Sequence, residues 1–119
     1  MAITKPIQVE VVRKKWYRGH GANDSYLYIQ STDADNKKMC CIGFLARVLG
    51  CRIGDIANVS CLIDVAIEKP MVEDFAHQHD SILTDCYEVN DQEHISESVR
   101  ERKLTALGKK MGVQFTFVD

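Results

Sequence analysis

The chain has 119 residues, of which 45% are hydrophobic and 27% charged, the make-up of one globular domain with one core and no long disordered tract. A formal net charge of −2 removes the simple electrostatic case for nucleic-acid binding, which comes with an excess of Lys and Arg. No apolar run approaches the ~20 residues needed to cross a bilayer, so no membrane role is expected.

Residues 1–119 are therefore read as a single domain. The opening Met1-Ala2-Ile3-Thr4-Lys5-Pro6 lacks the apolar stretch of a signal peptide, and the expected setting is the cytoplasm. Five cysteines, at positions 40, 41, 51, 61 and 86, make an odd count. In a reducing compartment they stay thiols and pack as small hydrophobes.

Ile7, Val9 and Val11 alternate with Gln8 and Glu10, which predicts a half-buried strand over 7–12. It can continue to Trp16 and Tyr17, before a loop by composition at 19–24. Residues 25–30, Ser-Tyr-Leu-Tyr-Ile-Gln, read as the returning strand of a hairpin. The polar stretch 31–38 follows, with Asp35 or Asn36 as a cap for the next helix.

That helix, over about 39–50, is the centre of the chain. Cys41, Phe44, Leu45, Val48 and Leu49 recur at helical spacing, most of the other face is apolar as well, and Gly50 supplies a stop. It belongs in a core.

The middle, 51–90, carries no persistent period. Ile53, Ile56, Val59 and Leu62 suggest a short helix or turn, 72–80 a short helix or a loop, and 81–89 a strand in part. Asn90-Asp91 reads as a turn pair. Ser96 then caps a helix over about 97–111, with Leu104, Leu107 and Met111 as its apolar stripe and Arg100, Arg102 and Lys103 on its wet side. Gly112 ends it, and 113–118 alternates as a clean strand. The expected class is α+β: a small antiparallel or mixed sheet packed against the buried central helix and the C-terminal amphipathic helix. If the last strand lies outermost it can pair with another copy, so a homo-oligomer is one expectation.

Three sets of residues bear on chemistry. Cys41-Ile42-Gly43-Phe44 opens a helix, where the dipole favours a thiolate. This resembles the nucleophile helix of the NlpC/P60 branch of papain-like hydrolases, a resemblance that implies a thiol hydrolase or transferase with Cys41 as nucleophile and His77 or His79 as base. The histidines do not follow the helix on a convincing strand as that family requires, and so a catalytic set is not expected. His77-Gln78-His79 with a cysteine contains zinc-ligand types but no Cys-x-x-Cys pair, so no metal is expected. No phosphate-binding glycine loop occurs, and no cofactor is expected.

The third set is Arg13, Trp16, Tyr17 and Arg18, with Lys14 and Lys15 between them. Cations interleaved with aromatics suit a binding surface, either as protein-contact anchors or as a weaker case for single-stranded nucleic acid. The alternative is a strand end with Trp16 turned into the core.

Across most of the chain, Arg13 to Gly19, Lys38-Met39-Cys40-Cys41-Ile42-Gly43-Phe44, Val89-Asn90-Asp91 and the ending Gly112 to Asp119 resemble a family of small uncharacterised bacteriophage and bacterial proteins. Ile42 stands where that pattern has Leu. The resemblance implies a phage or mobile-element setting and a small, non-enzymatic protein that binds a host protein or defence factor.

Overall fold

The computed structural model describes residues 5–18, 27, 39–57, 59, 61–65 and 69–119. Two strands, β1 (Ile7–Val12) and β2 (Val113–Val118), form one parallel sheet in which Ile7 pairs with Val113 and Val12 with Val118. The α+β class holds. The pairing corrects the expected antiparallel arrangement: the strands lie near opposite ends of the sequence, and the helices between them form one long crossover, which a parallel pair requires. Val9, Val11, Val113 and Phe115 are buried on one face, while Gln8, Glu10, Gln114 and Thr116 are exposed on the other.

β1 does not run on to Tyr17. It ends at Val12, a 3-10 turn covers Arg13–Lys15, and Trp16 makes an isolated parallel bridge with Met39. The predicted hairpin strand at 25–30, the loop at 19–24 and the caps Asp35 and Asn36 lie outside the described residues, Leu27 excepted.

The central helix, α1 (Cys41–Val48), is buried from Cys41 through Ala46. Burial of side chains such as Ile42 and Leu45 is worth ~1.5–3 kcal/mol each, which fixes this helix at the centre of the core. Gly50 stops it: at φ 107 it takes the left-handed conformation, the Gly50 N–H bonds the Arg47 carbonyl (3.1 Å) and the Cys51 N–H the Ala46 carbonyl (3.0 Å). Gly43 has a different reason to be glycine. A Cβ there would stand 1.9 Å from the Leu27 carbonyl oxygen.

The middle of the chain resolves into helices. One turn, α2 (Ile53–Ile56), begins with the Asp55 carboxylate accepting from the Arg52 N–H. α3 (Pro70–Gln78) has Pro70 at its first turn, where the missing N–H costs nothing. α4 (Asp80–Asp91) replaces the expected strand at 81–89 and the expected turn at Asn90-Asp91. Its buried or half-buried Leu83, Cys86, Tyr87 and Asn90 recur at helical spacing, a stripe that contains a polar residue and so escapes a count of apolar residues.

α5 (Glu97–Lys110) follows the prediction closely, with the Ser96 hydroxyl accepting from the Val99 N–H and Met111 as the C-terminal cap. Leu104 and Met111 are buried. Arg100 is not on the wet side. It is 3% exposed because its Nη1 donates to the carbonyls of Val89, Asn90 and Gln92 at 2.8–3.0 Å, closing the C-terminus of α4. At Gly108 a Cβ would meet the Phe115 ring and the Val113 carbonyl at 2.8 Å, which is how closely α5 lies on β2.

Candidate functional site

Of the residues singled out in the sequence, Trp16, Tyr17 and Cys41 meet at one place, the start of α1, and the residue that joins them is Asn90. Its Oδ1 accepts from the Trp16 indole N–H (2.7 Å) and from the Cys41 backbone N–H (3.1 Å). Its Nδ2 donates to the Tyr17 carbonyl (3.0 Å) and to Asp91 Oδ1 (3.1 Å). All four hydrogen-bonding positions of the amide are used, at zero exposure. A fully satisfied buried amide fixes three segments against one another: the end of α4, the Trp16-Tyr17 segment and the first turn of α1.

Trp16 is thus a core residue at 1% exposure, its ring 5.0 Å from that of Phe117. It is not available as a surface anchor, because a buried indole N–H needs an acceptor and finds one only on the inside. Arg18 stacks over it, 4.3 Å from the ring centroid, and pairs with Glu97. Arg13 pairs with Glu101 (2.8 Å) and Asp119 (2.9 Å), which hold its guanidinium charged. Tyr17 is half-buried. The structure brings Arg13, Trp16, Tyr17 and Arg18 together as a brace between β1, α4 and α5.

Cys41 occupies the first helical position, as the sequence suggested, but it has zero exposure. Burial, with Cys40 and Cys86 nearby, holds its thiol well above the usual range. Burial also pushes Cys40 up to about 12, although the Gly43 and Ile42 amides pull the other way. The helix dipole that would favour a thiolate is outweighed by desolvation. The Cys41 N–H, which an oxyanion would need, is already given to Asn90.

His77 is exposed on α3, and His79 lies at the junction of α3 and α4 with its ring 4.6 Å from that of Phe75. No hydrogen bond among the described residues links either to Cys41. Nor do the described residues bring three His, Cys, Asp or Glu side chains together as a metal would need.

What sequence reading missed is a groove of about 600 Å³ beside β1. Met39, Phe44 and Val48 give it apolar walls; Glu10, Arg47 and Thr116 give it polar ones. Val48 is half exposed, and Phe44 is 7% exposed. The available signal was Val48 itself, an apolar residue whose neighbour Arg47 marks the one side of α1 that faces outward. In the ladder, the Ile7 N–H bonds the Gly112 carbonyl (2.8 Å), so the backbone groups of Gln8 and Glu10 point away from β2. Among the described residues, no strand pairs with that outer edge.

Comparison of the chain with protein-family models, with curated proteins and with solved structures finds no match. No helix is long and apolar enough to cross a membrane among the described residues.

Proposed function

We propose that this protein is a non-catalytic binding protein, which takes an extended segment of a partner protein into the groove between β1 and α1. The observation that carries this reading is the composition of the groove. Apolar walls from Met39, Phe44 and Val48 lie beside a strand edge whose Gln8 and Glu10 backbone groups point outward, with charged residues at the rim. Those are the two elements of strand addition: main-chain hydrogen bonds for affinity and side-chain pockets for selectivity. Arg47 and Glu10 are the rim charges that would set register.

The core supports the same reading from the other side. The thiols of Cys40, Cys41 and Cys86 are desolvated and the buried amide of Asn90 is fully used, so these chemistry-bearing residues serve the fold. By its resemblance to small bacteriophage proteins, the partner belongs to the bacterial host, and the site of action is the host cytoplasm.

Affinity capture from bacterial cells tests this, with the tagged protein compared with Val48→Glu and with Glu73→Ala, an exposed position outside the groove lining, as a control. The expected result is a defined host protein retained by the wild type and the control and lost from V48E. Equal capture by V48E would exclude the groove. A rise in turnover of thioester or amide substrates that disappears in Cys41→Ser would exclude the non-catalytic reading.

A further inference from the structure

The surface charge of this chain is divided. Between Met71 and Val99 there is no Lys or Arg, and the exposed carboxylates are Glu73, Asp74, Asp80, Asp85, Glu88, Glu93 and, paired with Arg18 and Arg100, Glu97. Asp80, Asp85 and Glu88 share the outer face of α4, on which Ser81 and Thr84 are the neutral neighbours. The next helix is the reverse. Arg102, Lys103, Lys109 and Lys110 are all exposed and, at 100° per residue, fall within about 120° of one another around α5. Small Ala106 sits in the middle of that face. Among the described residues none of these four cations has an ion-pair partner, because the carboxylates on α5, Glu97 and Glu101, are taken by Arg13, Arg18 and Arg100.

We propose that the basic face of α5 is an interface for a second copy of this chain, which presents the acidic outer face of α4 to it. The argument is charge complementarity. Opposite charges on one surface ordinarily neutralise one another locally; here they are sorted onto two neighbouring helices that pack side by side. A polyanion such as nucleic acid would use the α5 face but be repelled by α4 and by the net charge of −2. A second copy uses both faces. Turned about a two-fold axis, it sets α4 on α5 of its mate and α5 on α4 of its mate, so each contact is made twice and the assembly closes at a dimer. Each exposed ion pair contributes little, so the association is weak and salt-dependent. It is independent of the β1 groove.

Sedimentation velocity of the full chain, over a range of concentrations, reads this directly. Expected is a species of twice the 13.5 kDa chain mass, whose dissociation constant rises on the order of tenfold between about 0.1 M and 1 M salt, as the screening length falls from roughly 10 Å to 3 Å. Lys109→Glu with Lys110→Glu should be monomeric, and Asp85→Lys with Glu88→Lys should be monomeric. Their equimolar mixture should form a heterodimer that neither variant forms alone, since the unchanged acidic α4 face of the first meets the unchanged basic α5 face of the second. All four positions are exposed, and circular dichroism checks that each variant is folded. The neutral pair Lys109→Gln and Lys110→Gln repeats the test without reversing charge. A wild type that stays monomeric at low salt would overturn the proposal, as would a dimer unmoved by the reversals or a mixture that does not associate. Retention of a labelled single-stranded oligonucleotide by monomeric wild type, lost on the Lys109 and Lys110 changes, would reassign the face to nucleic acid.

Discussion

The first turn of α5 closes on itself, whereas the first turn of α1 is closed from another part of the chain. Ser96 accepts from Val99 three residues on, in water, and Glu97 adds negative charge where the dipole favours it. At α1 the side chain of the N-terminal cap residue, Cys40, makes no capping hydrogen bond. The acceptor for the Cys41 N–H is Asn90, 49 residues away and buried. A local cap makes a helix start that can form early and fail alone. A remote cap makes a start that exists only when α4, the Trp16 segment and α1 have come together, and its loss is felt in all three.

The most damaging test of that difference is Asn90→Leu, which keeps the branched shape of the side chain and removes the amide. It strips the Trp16 indole N–H and the Cys41 N–H of their acceptor and the Tyr17 carbonyl of a donor, in a place water does not reach. Each buried group so deprived costs about 1–3 kcal/mol, so a loss of roughly 3–5 kcal/mol is expected out of the ~5–15 kcal/mol that hold a domain folded. Urea unfolding followed by Trp16 fluorescence measures it. A loss under about 1 kcal/mol would mean that the three segments are held together without the amide.

Alkali attacks the same region by a different route. Burial pushes Cys40 and Cys86 up to about 12 and holds Cys41 and Tyr87 above their usual range as well. These acids ionise more readily when unfolded, so unfolding releases protons at high pH. Their contribution to stability is full below the unfolded thiol range near 9 and is lost as pH rises through about 12. Stability should therefore be flat from neutrality to about pH 9 and fall steeply above it. Thiol labelling at pH 8 gives the companion reading: Cys61, the partly exposed cysteine, reacts first, and Cys40, Cys41 and Cys86 react only on unfolding.

Gly43→Ala comes next. The sequence Cys41-Ile42-Gly43-Phe44 invites a catalytic explanation for its glycine, but the structure supplies a steric one in the approach of the Leu27 carbonyl. An added methyl must push the segment at Leu27 away from α1, an overpacking cost of about 1–3 kcal/mol. Gly54→Ala is the control, since a Cβ there meets nothing within 4 Å. Equal stabilities for the two variants would show that the contact at Gly43 gives way easily.

The contrast between the two helix starts also explains what could be read in advance. α5, Ser96, Gly112, β1 and β2 are written in local signals: a cap, a stop, an alternation of period two. The buried character of α1 is written in its composition. The parallel register is not, because Ile7 and Val113 pair across almost the whole chain and nothing near either strand states the direction of its mate. α4 was hidden because the inward positions include Asn90, which counts as polar and turn-forming until its partners are known. Arg100 was misplaced for the same reason: an arginine is assigned to solvent unless three carbonyls at the end of another helix are waiting for it. The candidate site fared likewise. Cys41 was correctly placed at a helix start, but its burial, and the capture of its N–H by Asn90, depend on α4. The groove beside β1 depends on how α1 crosses the sheet.

Ser96→Ala is the smallest of the expected effects and sharpens the comparison most. It removes a cap of the same kind that Asn90 provides, one backbone N–H satisfied at a helix start, but at an exposed site where water can replace the hydroxyl. The usual cost of such a loss is about 1 kcal/mol, a fraction of that expected at Asn90, and it should fall on α5 alone. Amide hydrogen exchange separates the two cases. In S96A, faster exchange should be confined to the first turn of α5, around Val99. In N90L it should spread to the first turn of α1 and to the Trp16-Tyr17 segment, because one amide serves all of them. If S96A loosened α1 as well, the two helix starts would be one cooperative unit, and the reach of Asn90 would owe less to its hydrogen bonds than to the packing of α4 against α5.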